Sequence, residues 1–269
     1  MDERKVKNRN TEFSAKISSR FWQEVPNDDN PYIADNYRCQ GYDLTQLAEK
    51  RSFTETLYLL FRGELPNQQQ NEILQKLMIA FINPGPRHPA SRAAMLAGVS
   101  KAAPSQLLPI SLSILSGEHL GAGSLEKNVR FFRKNVAKDP KEIIADLHLQ
   151  LSNPSPSNWE PIPGFGMRFG SIDQFSKKIA ELLLPLPGAG RALKWGALLS
   201  EHLQEFNLGW LPTGVTAAVL SDLGFHPKAA VGIFQLISAP GLLAHGLEMS
   251  GKPLTTMPFL EDKDYRIEE

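Results

Sequence analysis

The 269-residue chain carries 29 Lys plus Arg against 29 Asp plus Glu. A zero net charge gives no global field that would draw it to nucleic acid or to an acidic membrane surface. Apolar residues make up 42% of the chain and charged residues 22%, with 14 Phe, which suffices for one large core or two modest ones. The single cysteine, Cys39, excludes an internal disulfide framework and fits a reducing compartment. The opening MDERKVKNRNTEF has no apolar stretch of the kind a secretory signal needs, so a cytoplasmic location is expected. Lys, Glu, Pro or Gly interrupts each apolar run, and no membrane span is expected. The six histidines are scattered, without metal-site spacing.

Residues 1–35 read as an irregular arm anchored by Trp22, Pro26, Pro31 and Tyr32, and no β-hairpin signature is found anywhere in the chain. From Gly41 the pattern sharpens. Asp43 is placed to cap a short helix with Leu44, Leu47 and Ala48 on one side. Ser52 and Glu55 form a capping box for a second helix carrying Phe53, Leu57, Leu60 and Phe61, ended by Gly63 and Pro66. The spacing of Ile73, Leu74, Leu77, Met78 and Phe81 predicts a third helix over 67–81. The loop NPGPRHPAS holds His88 between prolines, and Ser91 opens a small-residue helix able to pack closely.

Residues 107–126, LLPISLSILSGEHLGAGSLE, are apolar nearly all round and then empty into a glycine-rich turn. Such a run wants burial on every side. The turn sets Glu118 and His119 beside Gly117, Gly121 and Gly123, where backbone freedom suits a hinge or the close approach of a ligand. Residues 126–150 are more charged, and the basic run FFRKNVAKDPK reads either as a solvated helix face or as a phosphate contact. A turn-rich linker, SNPSPSNWEPIP, leads to GFGMRFG. Further helices fit 173–184, 190–206, 215–223 and 227–248, the last interrupted by Pro240. The fold class expected is all-α.

GYDLTQLAEKRSFTETLYLLFRGELP resembles, almost position for position, an early block of the citrate synthase superfamily, GYDI-ELA followed by SF-E-AYLLL-GELP. RHPASRAAMLAGVSK resembles that family's histidine-bearing helix start, and GEHLGAGSLEKNVRFF its HGGAN segment. PIPGFGMRFGSID resembles its GFGHR loop, NLGWLPTG its NVDFYSG segment, and GIFQLISAPGLLAHGLE its penultimate helix. The order is kept from about Gly41 to Glu248, in a chain whose compactness is closer to a citryl-CoA lyase than to a citrate synthase. The resemblance implies a large helical domain over 1–120 and 222–269, a smaller one inserted over 121–221, and a homodimer. It also implies a cleft where an acyl-CoA meets a small carbonyl compound, with coenzyme A as substrate rather than as a tightly held cofactor.

The family's chemistry is a Claisen-type condensation or its reversal, run by an Asp base, two histidines and carboxylate-binding arginines. By this resemblance His88 lines the keto-acid pocket, and Gly164, Phe165, Gly166, Met167 and Arg168 form the loop near coenzyme A. The family's catalytic histidine falls on Leu120 when the glycines are aligned and on His119 when they are not. Glu118 and His119 are the titratable pair of that turn. Elsewhere the family's groups are replaced: its ketone-polarising His by Met167, its base by Gly209 or Trp210, and two of its arginines by Ser238 and Gln174. Arg266 is left as the C-terminal candidate for a carboxylate clamp, and His245 reads mainly as packing. Each loss removes a charge or a donor suited to oxaloacetate. The function implied is an acyl-CoA-dependent enzyme making or breaking a carbon–carbon bond with an altered keto-acid site, or a non-catalytic paralogue that binds coenzyme A or a partner protein.

Overall fold

The computed structural model describes residues 17–151, 159–258 and 260–265. Arg266, the first part of the N-terminal arm and the SNPSPSN stretch of the linker lie outside them. The chain forms two compact units, Met1–Leu65 and Pro66–Glu269. Helices dominate both, as expected of an all-α protein, and the strands are few and short.

The first unit overturns the reading of an irregular arm. Strands β1 (Trp22–Pro26), β2 (Ala34–Cys39) and β3 (Tyr42–Asp43) form an antiparallel sheet in that order, with Trp22 opposite Cys39 and Val25 opposite Asn36. Neither WQEVP nor ADNYRC buries an alternating row, so the period-2 signal is missing. The β1–β2 turn is made by side chains instead: Asn27 Oδ1 accepts from the Asp29 and Asn30 amides, and Asn30 Oδ1 accepts from the Tyr32 amide. Between β2 and β3, Gln40 and Gly41 both take left-handed backbone, with φ of 49° and 85°. Two such residues close a hairpin whose twist matches its strands.

Helix α1 (Leu44–Lys50) starts where expected, with Asp43 accepting from the Gln46 amide. Hydrogen bonds from the Thr45 and Asn36 side chains hold the Asp43 carboxyl down to about 2. Helix α2 (Phe53–Arg62) has the full Ser52–Glu55 capping box and ends at left-handed Gly63. Its buried residues are Thr54, Leu57, Tyr58 and Leu59, while Phe53 and Phe61 stay exposed. Cys39, Leu47 and Leu59 make this unit's core cluster, with Trp22, Leu44, Leu60 and Leu65 around it.

The second unit is built on α11 (Pro227–Ser250), which packs against α4 (Pro89–Val99), α5 (Pro104–Leu115) and α6 (Leu125–Asn135). By length and composition α11 could cross a membrane, contrary to the reading that every apolar run is interrupted. Pro240 and the helix glycines do not break it; the helix runs through them. Its Ile233, Phe234, Ile237, Leu242 and Met249 are buried in this unit. Small residues bring α4 close: a Cβ on Gly98 would lie 2.1 Å from the Gly246 carbonyl oxygen.

Helix α10 (Pro212–Asp222) is buried along almost its whole length, from Thr213 to Leu220. It packs on α6 and on α9 (Arg191–Leu203). Half-buried Asp222, at its end, caps α9 by accepting from the Ala192 and Leu193 amides, and desolvation pushes its carboxyl pKa up. The rest of the unit comprises α3 (Gln68–Ala80, capping box Asn67–Gln70), α7 (Pro140–Leu151), α8 (Gln174–Leu183) and a strand pair, β4 (Phe165–Gly166) with β5 (Gly209–Trp210).

Helix α5 corrects a second expectation. It is not buried on all sides: Leu107, Ser111 and Leu115 form one buried stripe, and Ile110 and Ile114 are exposed. One helix face turns inward at the i, i+4 spacing, and among the described residues no second layer covers the other.

Two left-handed glycines separate backbone strain from close packing. Gly164 is left-handed at φ +87°, and a Cβ there would meet Gly214 Cα at 2.8 Å. Gly170 is also left-handed, at φ +80°, but has nothing within 4 Å. Gly170→Ala should cost only the backbone term, about 1 kcal/mol. Gly164→Ala adds a main-chain collision and should lose at least about 2 kcal/mol more, read as the difference between two urea denaturation curves.

Candidate active site

A concavity in the second unit is lined by Phe81, Asn83, Pro84, His88, Leu120, Trp159, Arg168, Phe175, Leu211, Pro212, Thr213, Phe234 and Ser238. It leaves about 60 Å³ for the centres of water-sized occupants and about 590 Å³ of empty space with its mouth included. Five separate stretches of chain meet there: the α3–α4 loop, the glycine turn after α5, the 159–175 region, the start of α10, and the middle of α11. Most of the wall is apolar. Phe81 touches Phe175 and Phe234, each at 6.4 Å between ring centroids.

His88 is buried at 5% exposure and is the N-cap of α4. Its Nδ1 accepts from the Ala90 amide at 3.1 Å. That fixes the proton of the neutral ring on Nε2, which donates to the Leu120 carbonyl at 2.8 Å. Both ring nitrogens are therefore engaged. Burial pulls the His88 pKa below its ordinary value and nearby Arg168 adds to the effect, while the bond to Leu120 opposes it.

The glycine turn differs from the hinge that composition suggests. Gly121 has φ −111°, and the left-handed residue is Leu120, at φ 59°. The glycines provide room: a Cβ on Gly121 would meet the Gly117 carbonyl oxygen at 2.3 Å, and one on Gly123 would meet that of Ser116 at 2.8 Å. Leu120 faces the cavity, and His88 holds its strained peptide. Glu118 and His119 are exposed and outside the lining. The His119 ring lies 4.7 Å from that of Trp159, which does line the cavity, so His119 stands at the rim.

The loop resembling GFGHR is packed tightly. Gly164 N–H donates to half-buried Glu160 at 2.7 Å, and its carbonyl accepts from Leu211. Met167 N–H donates to the Trp159 carbonyl, and a Cβ on Gly166 would strike that oxygen at 2.0 Å. Phe165 is fully buried against Trp210, 4.5 Å between centroids. Of the five loop residues singled out in the sequence, only Arg168 lines the cavity. Its Nη1 donates to Asp173 at 3.1 Å. The Asp173 carboxylate in turn caps α8, accepting from the Phe175 and Ser176 amides. Glu160 was not singled out: burial raises its carboxyl pKa, and it accepts from Asn128 as well as Gly164.

Gly209 and Trp210, which replace the family's base, are structural. A Cβ on Gly209 would meet Ile172 Cγ2 at 2.7 Å. Trp210 stacks on Phe132, 6.0 Å between centroids, and lies over Gly196. Ser238 does reach the cavity, and its hydroxyl donates to the Phe81 carbonyl at 3.3 Å. Gln174 is exposed and away from it. His245 Nε2 lies 3.2 Å from Asn83 Oδ1, so it supports a residue of the rim. Asn83, Trp159 and Thr213 also line the cavity; they lie in stretches noted in the sequence, where nothing singled out their side chains. Among the described residues no group of His, Cys, Asp or Glu is placed to hold a metal ion.

A second cleft, about 770 Å³ with its mouth, is lined by Lys127, Arg130, Phe131, Lys134, Asn135, Lys138, Ile143 and Pro163. Arg130 is paired with Glu126 at 2.7 Å. The 159–168 loop contributes Pro163 to this basic cleft, and Trp159 and Arg168 to the cavity.

Residues 26–153 match the family profile described as the citrate synthase C-terminal domain. No curated protein matches significantly. Among solved structures, the chain is similar to citryl-CoA lyase from Hydrogenobacter thermophilus, at 22% identity and TM-score 0.76, covering 94% of both chains. It is also similar to a mutant ATP citrate lyase from Methanosaeta concilii in complex with (3S)-citryl-CoA, at 16% identity and TM-score 0.71, covering 94% of this chain and 42% of that one. A third is citrate synthase from Thermoplasma acidophilum with carboxymethyl coenzyme A and oxaloacetate, at 18% identity and TM-score 0.55, covering 73% and 52%. At these identities the structural likeness establishes the fold. The fold is that of the citrate synthases and citryl-CoA lyases, and the profile match over residues 26–153 agrees with it.

Proposed function

We propose that this chain is a coenzyme A-dependent, Claisen-type enzyme that forms or cleaves a carbon–carbon bond beside a thioester, with a carbonyl-partner site altered from that of its relatives. One observation carries the reading. The stretches that resemble five separate family motifs converge on one cavity, through His88, Leu120, Arg168, Thr213 and Ser238. Convergence from across the chain is what a retained substrate site requires.

His88 is a positioning residue in this reading. Its Nε2–H holds the Leu120 carbonyl and so fixes the turn that presents His119 at the rim. His119, exposed beside Trp159, takes the acid-base role, with Glu118 next to it in the chain. The acyl-CoA enters past the 159–168 loop. Its phosphates lie in the basic cleft near Lys127, Lys134 and Lys138, side chains that point-charge recognition of phosphate suits.

A second reading, binding without turnover, is favoured by one observation: no carboxylate lines the cavity, and Leu120 rather than His119 does. A panel of acyl-CoAs and 2-oxo acids, followed by release of free thiol, separates the two. Turnover that falls roughly 10²- to 10⁴-fold in His119→Ala supports the enzyme. Silence across the panel, with coenzyme A still bound, supports the second reading.

Coenzyme A affinity tests the basic cleft directly. Lys134→Glu with Lys138→Glu should weaken binding about tenfold or more at low ionic strength, and the difference should shrink as salt is added. An unchanged calorimetric Kd would remove the phosphates from this cleft.

The His88 arrangement also sets a pH dependence. Its folded pKa is depressed, so the unfolded chain binds the proton first as pH falls. The stabilisation is complete above the ordinary value of 6.5 and is lost as pH drops through the lower folded pKa. His88→Gln keeps an amide donor near Leu120 but cannot titrate. The stability gap between the two proteins should therefore move against the wild type between about pH 7.5 and about pH 5, as read from urea midpoints.

A further inference from the structure

Among the described residues of the cavity wall, one buried side-chain polar atom has no partner. His88 uses both ring nitrogens within the protein. The Ser238 hydroxyl donates to Phe81, and Asn83 Oδ1 accepts from Gly85 and contacts His245 at the rim. Thr213 is the exception. It is 3% exposed, and its buried Oγ1 has no hydrogen-bond partner. One turn on, the Thr216 hydroxyl satisfies itself on the Pro212 carbonyl. A buried hydroxyl without a partner is costly, and it is rare enough to point to something that completes it.

The charge inventory is equally short. Among the described residues Arg168 is the one cation in the lining, and part of its charge is met by Asp173. Its remaining donors can hold one carboxylate. A second carboxylate would enter a wall of Phe81, Phe175, Phe234, Leu120 and Leu211 with nothing to pair it, which is strongly unfavourable.

We infer that the carbonyl partner of this site is a 2-oxo monocarboxylic acid with an apolar branched or aromatic tail. Its carboxylate lies on Arg168, its 2-oxo oxygen accepts from the Thr213 hydroxyl, and its tail lies among the three phenylalanines. The inference rests on the proposed function for the role of the ligand, but its test is a binding measurement that needs no turnover.

Calorimetry with and without coenzyme A should compare phenylpyruvate, 4-methyl-2-oxopentanoate, pyruvate and oxaloacetate. The first two should bind at least about tenfold more tightly than pyruvate, which lacks the tail, and than oxaloacetate, which carries the second charge. Thr213→Val keeps the shape and removes the hydroxyl. It should weaken 4-methyl-2-oxopentanoate roughly tenfold while leaving 4-methylpentanoate, which lacks the 2-oxo group, unchanged. An unaltered melting temperature shows that the variant is folded. If it is not, Thr213→Ser, which retains the hydroxyl, should bind as the wild type does.

Oxaloacetate binding most tightly, no 2-oxo acid binding at all, or Thr213→Val binding like the wild type would each overturn the inference. Tail-selective binding with no thiol release from any acyl-CoA leaves the inference standing and removes the enzymatic reading. Thiol release with oxaloacetate alone does the reverse.

Discussion

The arrangement of the second unit depends on one main-chain contact, between Gly164 and Gly214. A Cβ on Gly214 would lie 1.9 Å from the Gly164 carbonyl oxygen, and the same oxygen accepts from the Leu211 amide at 3.1 Å. Two residues without side chains let a loop and a helix start touch backbone to backbone. That contact sets the 159–168 loop against the start of α10. It thereby brings Trp159 and Arg168 to the same cavity as Leu211, Pro212 and Thr213. Glu160 holds the loop from its other side through the Gly164 amide.

The cavity formed in this way is a site of low charge. Its histidine is neutral and internally bonded, and its arginine already faces an aspartate. Burial makes both features matter, because an unpaired ion in a dry wall costs far more than one in water. Asp173 couples the site to the fold, since one carboxylate both meets Arg168 and caps α8. A change at either partner would disturb the other.

Around Gly209 and Trp210 the chain has a packed aromatic node. Trp210, Phe132, Phe165 and Trp195 interlock, with Gly196 leaving room for the indole of Trp210. Aromatic packing of this kind stabilises through area and ring geometry together. An acid placed at Gly209 would need Ile172 to move. Gly209 and Trp210 are thus both part of the core, away from the exposed His119.

The amino-acid sequence by itself determined the helical class, the caps at Asp43 and Ser52, and the set of motifs in their order, because these are local patterns of hydrogen bonding and apolar spacing. It also marked His88 and Arg168, since each lies inside a recognisable motif. It did not reveal the β1–β2 hairpin, whose strands lack alternation, nor the exposed face of α5. Only the tertiary structure decided that Leu120 rather than His119 faces the cavity, and that Thr213 lies in its wall with an unpaired hydroxyl. Which way a side chain points on a glycine turn, and whether a hydroxyl finds a partner, depend on neighbours tens of residues away. The His88–Leu120 bond and the Gly164–Gly214 contact are both of that long-range kind.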